Sequence, residues 1–140
     1  MNILITGGAG YIGSHVALLL LDDGIKPIII DNLLTGGKKL IPKEANFIRG
    51  DISNSNLVSK IIIEHNISTV IHLAASTLVS ESIKDPYKYY DNNTMKSINL
   101  VNLCGKLGVS NFIFSSTAAC LASFKGLLIF LSSSISFINS

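Results

Sequence analysis

The stretch that most constrains this chain is Asn2-Ile-Leu-Ile-Thr-Gly-Gly-Ala-Gly-Tyr-Ile-Gly-Ser14. Ile3 to Ile5 is an apolar run that reads as a buried parallel strand. Gly7, Gly10 and Gly13 follow at intervals of three, and an apolar-periodic segment starts at Tyr11. In the order strand, glycine turn, helix, each glycine has a mechanical role. One makes a tight turn out of the strand, one allows close backbone approach to a pyrophosphate, and one allows close packing of helix on strand. The helix start, with unpaired N–H groups and the positive end of its dipole, favours anions.

A second apolar run, Ile28 to Ile30, ends in Asp31, eighteen residues beyond Gly13. An acidic residue at that distance accepts hydrogen bonds from an adenosine ribose. Its charge repels a 2′-phosphate, so the pattern favours NAD over NADP. The bland alternative is a structural glycine turn that holds no nucleotide.

The rest of the chain alternates in the same way. Residues 2–6 form the first strand, and a helix from Tyr11 carries Ile12, Val16, Leu19 and Leu20 on one face until Asp22-Asp23-Gly24 ends it, with Gly24 as a left-handed cap. The second strand follows Pro27, and a loop runs from Asn32 to Glu44. Its Gly36-Gly37-Lys38 does not make a phosphate loop of the GxxxxGK[ST] type, because that spacing requires Gly at position 32 and Ser or Thr at 39, where Asn32 and Lys39 stand. Residues 46–49 form a third strand ending at Gly50-Asp51-Ile52. Ser53 is placed to cap a helix that runs to about Asn66 through Leu57, Val58, Ile61 and Ile62. The fourth strand, residues 69–73, runs into Ala74-Ala75-Ser76-Thr77. A long helix over 87–106 has Thr94, Ile98, Val101 and Cys104 on one stripe, and residues 111–115 form the fifth strand. Strands alternating with helices predict an α/β fold, a doubly wound parallel sheet of about five strands, with ligands at the strands' carboxyl ends near the switch point between the first and fourth. Gly7 to Gly13, Asp31, Asp51, Ala74 to Thr77 and Ser115 to Thr117 all fall at such ends.

Composition sets the limits. At 140 residues the chain is one domain's worth, long enough to bury about two-thirds of its unfolded surface. The 48% hydrophobic share and mean hydropathy of +0.49 suit a parallel sheet covered on both faces. A net charge of +2, with no basic run beyond Lys38-Lys39, argues against nucleic acid. Cys104 and Cys120 lack C-x-x-C spacing and read as small hydrophobes of a reducing compartment, and no metal site is expected. No basic n-region precedes the first strand, so a signal peptide is not expected and the cytoplasm is the default location. The sequons at Asn66 and Asn92 are then chance matches. His72, inside an apolar strand, reads as a packed imidazole rather than a catalyst; His15 and His65 carry no signal.

Thr6-Gly-Gly-Ala-Gly-Tyr-Ile-Gly13, Asp31-Asn-Leu33, Gly50-Asp51-Ile52, Val70-Ile-His-Leu-Ala-Ala75, Val79-Ser-Glu-Ser82, Pro86-Tyr-Lys-Tyr-Tyr-Asp-Asn-Asn93 and Asn111-Phe-Ile-Phe-Ser-Ser-Thr-Ala-Ala119 together resemble the extended short-chain dehydrogenases, and among them the UDP-glucose 4-epimerases. The resemblance runs from Met1 to about Ala119. It implies that Gly7, Gly10 and Gly13 form the dinucleotide loop, that Tyr11 and Ile12 cover the pyrophosphate, and that Asp31, Asn32, Leu33, Leu34, Thr35 and Gly36 surround the adenosine ribose. Asp51 and Ile52 would meet the adenine. Leu73, Ala74, Ala75, Ser76 and Thr77 would line the nicotinamide side, and Asn92 would reach the cofactor from the long helix. Some epimerases carry lysine where Thr77 stands, so one cofactor contact is missing there. Thr117 would hydrogen-bond the sugar's 4-hydroxyl and share proton transfer with a tyrosine. The family's 4,6-dehydratases place Asp-Glu after that threonine; Ala118-Ala119 favours epimerase.

The family's general base is a tyrosine whose pKa is lowered by a lysine one helical turn on, in Tyr-x-x-x-Lys. Tyr11, Tyr87, Tyr89 and Tyr90 are followed four residues later by His15, Asp91, Asn93 and Thr94, so no such pair is present. From Cys120 to Ser140 the chain departs from the family pattern, with one charge, Lys125, in a Leu/Ile/Phe/Ser-rich run. The expectation is an incomplete NAD-binding domain at 1–119 and an aberrant, frameshift-derived apolar tail at 120–140, too short and serine-rich for a membrane span. The substrate lobe would be missing, leaving the fifth strand as an exposed apolar edge. The family homodimer, which packs the 87–106 helix against the helix bearing Tyr-x-x-x-Lys, would be lost, and the chain would be inactive or a bare NAD-binding module.

Overall fold

The computed structural model describes residues 1–115; Thr117 and the 120–140 segment lie outside the described residues. Five short strands form one parallel sheet: β1 (Ile3–Thr6), β2 (Ile28–Asp31), β3 (Asn46–Arg49), β4 (Thr69–His72) and β5 (Asn111–Phe114), in the order β3-β2-β1-β4-β5. The chain winds outward from β1 through β2 to β3, then crosses back to β4 and outward to β5. The switch point therefore lies between β1 and β4, where the alternation of elements predicts it. Thr6 sits opposite Ile30 on one side and His72 on the other, so the three central strands end level and share one rim.

Side-chain alternation divides the core. Leu4, Ile28, Ile30, Val70 and Phe112 face α2 (Ser55–Glu64) and α5 (Lys96–Lys106), packing with Val58, Ile61, Ile62, Leu100 and Cys104. Ile3, Ile5 and Ile29 face the other way, against Ala17 of α1 (Tyr11–Asp22). Cys104 is fully covered and burial pushes its thiol up to about 12, the behaviour expected of a small buried hydrophobe.

Three helix readings are corrected. In α1 the buried residues are Gly13, Ser14 and Ala17, whereas Ile12 and Leu19 are 61% and 65% exposed and Val16 and Leu20 pack at the margin. The helix approaches β1 so closely that only small residues fit beneath it. Its end is as expected: Gly24 takes φ +75°, the Gly24 N–H donates to Leu21 O and the Ile25 N–H to Leu20 O. In α2 the cap is Asn54, whose Oδ1 accepts from the Leu57 N–H at 3.1 Å, rather than Ser53, and the helix stops at Glu64.

The third correction concerns the segment read as one helix over 87–106. It is preceded by α3 (Val79–Lys84), opens with α4 (Pro86–Tyr89), widens into a π-helical stretch over Tyr90–Met95 and only then becomes α5. The wider turn rotates the following face, so Ser97, Leu100 and Cys104 are buried and Ile98 is half exposed. On the far side of the sheet β5 has no outer neighbour among the described residues, and Phe114 is 41% exposed.

This packing predicts a contrast between two large apolar side chains. Phe112→Ala removes a fully covered ring and is expected to cost about 3–5 kcal/mol in urea denaturation. Leu19→Ala, on the outer face of α1, should change stability by no more than about 0.5 kcal/mol.

Candidate functional site

The carboxyl ends of β1, β2, β3 and β4 enclose a crevice of about 260 Å³. Gly7 leaves β1 at φ +74°, and a Cβ there would lie 2.6 Å from Ala74 N, so only glycine lets the turns after β1 and β4 touch. A Cβ on Gly13 would lie 2.4 Å from Gly7 O, which is the contact that seats α1 on the strand end. Gly10 differs. Its φ is −79°, and a Cβ would meet only Gly7 O, at 3.3 Å, with the rest of its surroundings open to the crevice it lines. No side chain caps α1 and no acidic residue occupies its first turn, so the first N–H groups of the helix are left without a side-chain partner.

Asp31 is locked on both oxygens: Oδ2 accepts from the Ala9 N–H at 3.0 Å and Oδ1 from the Leu33 N–H at 2.8 Å. The second bond holds Leu33 at φ 61°, a left-handed conformation a leucine adopts only under constraint. The loop after β2 folds back, with the Gly37 N–H donating to Ala9 O. Each carboxylate oxygen of Asp31 keeps a free lone pair at the crevice wall.

At the end of β3, Asp51 Oδ1 accepts from the Ser53 N–H at 2.9 Å and Oδ2 from the Asn32 amide at 2.8 Å. Burial pushes this carboxyl up, but the Ser53 N–H, the Asn32 amide, the Ser53 hydroxyl and the Lys96 charge outweigh it and hold the pKa at about 2. Lys96 Nζ lies 3.4 Å from Asp51 Oδ1, tying α5 to the β3 rim.

The rim beyond β4 hangs on a buried polar relay. The Ser97 hydroxyl donates to Asn93 O at 2.7 Å, so its oxygen accepts from His72 Nε2–H at 2.8 Å, and Nδ1 therefore accepts from the Thr6 hydroxyl at 2.6 Å. Asn93 clamps the next loop with both ends of its amide: Oδ1 accepts from the Ser76 N–H at 2.8 Å and Nδ2 donates to Ser76 O at 2.9 Å. Asn92 Nδ2 donates to the Ser76 hydroxyl. His72 is thus a packed imidazole, as the strand pattern suggests, but a fully partnered one, and burial holds its pKa down at about 4.

Of the residues singled out in the sequence, the crevice brings together Gly7, Gly10, Asp31, Asn32, Leu34, Thr35 and Gly36 with Asp51, Ile52, Leu73, Ala74, Ala75, Ser76 and Asn92. Gly13 is buried beneath it, Tyr11 and Ile12 stand exposed at the start of α1, Leu33 does not line the crevice, and Thr77 is exposed outside it. Thr117 lies outside the described residues. Sequence reasoning missed Lys88, Asp91 and Lys96, which also line the crevice, and Asn93, which shapes it. The Asn92-Asn93 pair was the available signal, since an amide is the side chain that can both donate to and accept from one backbone residue.

Comparison with known proteins agrees with this geometry. The model of the NAD dependent epimerase/dehydratase family matches residues 3–131. The chain belongs to that family. The match passes Ala119 and runs into the apolar tail. A UDP-glucose 4-epimerase of Klebsiella pneumoniae is 44% identical over 125 residues, covering 84% of this chain and 90% of that sequence. One of Lacticaseibacillus casei is 43% identical over 119 residues, covering 85% of this chain and 36% of the relative, so the chain spans about a third of that protein's length. The crystal structure of UDP-glucose 4-epimerase from Bifidobacterium longum in complex with NAD+ and UDP superposes with a TM-score of 0.81 at 33% identity, over 92% of this chain and 41% of that one.

Burial of His72 makes stability pH-dependent. The folded pKa of His72, about 4, lies below its ordinary 6.5, so between those values the unfolded chain binds the extra proton. The contribution is complete above pH 6.5 and is lost as pH falls through 4, a change on the order of 3 kcal/mol. Urea denaturation of His72→Phe should lack this part of the pH slope; parallel curves for the two proteins would contradict the assignment.

Proposed function

We propose that the chain is the NAD-holding part of a UDP-sugar 4-epimerase. The observation that carries this reading is the order of groups along the rim. The uncapped helix start and Gly10 stand over β1, the doubly anchored Asp31 over β2, and Asp51 with Ile52 over β3. Because β1, β2 and β3 are neighbours in that order, anion site, diol acceptor and base acceptor follow one another as pyrophosphate, ribose and adenine do in a dinucleotide. The residues fit the group: the glycine cradle is open where phosphates approach, and Asp31 keeps acceptor capacity for two hydroxyls.

In this reading Gly7, Gly10 and Gly13 set the loop, and the N–H groups at Tyr11 and Ile12 face the pyrophosphate. Asp31 to Gly36 wall the ribose. Leu73 to Ser76, clamped by Asn93 and Asn92, form the wall toward the nicotinamide, with Thr77 beyond them. The chemistry such a cofactor supplies when bound is reversible hydride acceptance at sugar C4, the basis of interconverting UDP-glucose and UDP-galactose through a 4-keto sugar. The chain's own residues bind and orient; Thr117 is assigned to the sugar 4-hydroxyl. No tyrosine of the chain has a lysine four residues on, so the chain by itself is proposed to hold NAD without turnover.

Isothermal titration tests the binding. The chain should take up one NAD and bind NADP at least about tenfold more weakly, because Asp31 repels the 2′-phosphate. Gly10→Ala, whose Cβ would press only on Gly7 O at 3.3 Å, should stay folded with a small change in melting temperature, yet lose about tenfold or more in NAD affinity. Equal affinity of Gly10→Ala and wild type would contradict the proposal. An epimerase assay with UDP-galactose should read no turnover above buffer, and measurable turnover would refute the bare-module reading.

A further inference from the structure

The segment that leaves β4, residues 73–78, is neither helix nor strand. The Leu73 N–H donates to Thr6 O at 3.0 Å, but none of residues 74–77 makes a backbone–backbone hydrogen bond with another described residue. Side chains of the segment over 87–97 grip them instead. The Asn93 amide binds Ser76 through both its N–H and its C=O, at 2.8 and 2.9 Å, and the Leu78 N–H donates to the Tyr89 hydroxyl at 3.1 Å. Asn92 donates to the Ser76 hydroxyl, so two consecutive side chains serve one loop residue. On an α-helix neighbouring side chains point apart; here both lie in the π-helical stretch. Both lone pairs of Asn93 Oδ1 are taken, by the Ser76 N–H and by Asn92 Nδ2 at 3.2 Å, and Asn93 does not line the crevice, whereas Leu73 to Ser76 do. Asn93 therefore acts on the wall and not on what the wall faces.

We infer that Asn93 is a positioning residue for the nicotinamide half of the cofactor, holding Ser76 and through it the wall over β4 in the shape that half meets; the inference rests on the dinucleotide reading of the crevice. In that reading adenine, ribose and pyrophosphate run over β3, β2 and β1, so the remaining half runs over β4, the next strand of the sheet. A loop with no backbone bonds of its own loses conformational entropy when a ligand orders it, unless another group has ordered it beforehand. Asn93 is that group. Without it, binding weakens for the part of the ligand that touches this wall. The part over β1 to β3 is spared, because the glycine turn and the two bonds that anchor Asp31 do not involve Asn93.

The test is calorimetric titration of NAD and of ADP-ribose, which lacks only the nicotinamide, into wild type, Asn93→Ala, Asn93→Asp and Val58→Ala. Wild type should bind NAD at least about tenfold more tightly than ADP-ribose, and Asn93→Ala should bring the two Kd values within about threefold by weakening NAD alone. Asn93→Asp keeps an acceptor for the Ser76 N–H but sets its second oxygen against Ser76 O, so it should narrow the ratio as well. Val58→Ala truncates a fully covered side chain of α2 and should lower the melting temperature with the ratio unchanged. A wild-type ratio in Asn93→Ala overturns the inference, as does an equal fall of the ratio in Val58→Ala. Should Asn93→Ala fail to fold, Asn93→Asp decides, a wild-type ratio there being the overturning result. Failure of wild type to bind either ligand would overturn the dinucleotide reading itself, whereas binding of both without a preference for NAD overturns only the role of Asn93.

Discussion

The structure depends on how closely α1 can sit on the turn that leaves β1. A Cβ on Gly13 would stand 2.4 Å from Gly7 O and one on Gly7 would stand 2.6 Å from Ala74 N, so any larger residue at either place must move backbone. With both absent, α1, β1 and the start of the β4 loop close on one another, and small residues at Ser14 and Ala17 continue the seam. That seam sets the direction of the helix dipole and brings the loops after β2 and β4 within reach of the same turn.

The polar groups of the rim then brace one another. Asp31 spans from the glycine turn to its own loop, Asp51 gathers the Ser53 N–H, the Asn32 amide and Lys96, and Asn93 grips Ser76. The buried relay from Thr6 through His72 and Ser97 to Asn93 fastens the grip to the sheet. Asp31 is positioned by two backbone bonds that leave acceptor capacity open to a ligand. Such preorganisation lowers the ordering cost a ligand would otherwise meet.

The central strands β1, β2 and β4 were legible because each is a short, largely apolar run stopped by glycine, aspartate or small residues, as a strand covered on both faces requires, whereas β3, Asn46-Phe-Ile-Arg49, is half-buried at best and was marked chiefly by Gly50-Asp51 after it. The doubly wound parallel sheet and its switch point between the first and fourth strands followed from alternation and handedness. The inward face of α1 was not legible, because a pattern search sends large apolar side chains inward while the gap at Gly13 admits only small ones. The π-helical stretch over Tyr90–Met95 has no sequence signature, and with it went the true face of α5 and the reach of Lys96 into the crevice. Asn93 was hidden by its neighbour: two adjacent amides on a helix of uncertain phase cannot be told apart by spacing. Thr117 lies outside the described residues, and its role rests on the resemblance.

The central claim is that one rim, from α1's start through Asp31 to Asp51, cradles a dinucleotide. Residue-resolved amide NMR during titration of NAD into the labelled chain tests it most directly. The account predicts saturable shifts at Tyr11, Ile12 and Gly13, along Asp31 to Gly36 and at Ile52, with the outer face of α2 unmoved. Shifts confined to other surfaces, or none at saturating NAD, would contradict it.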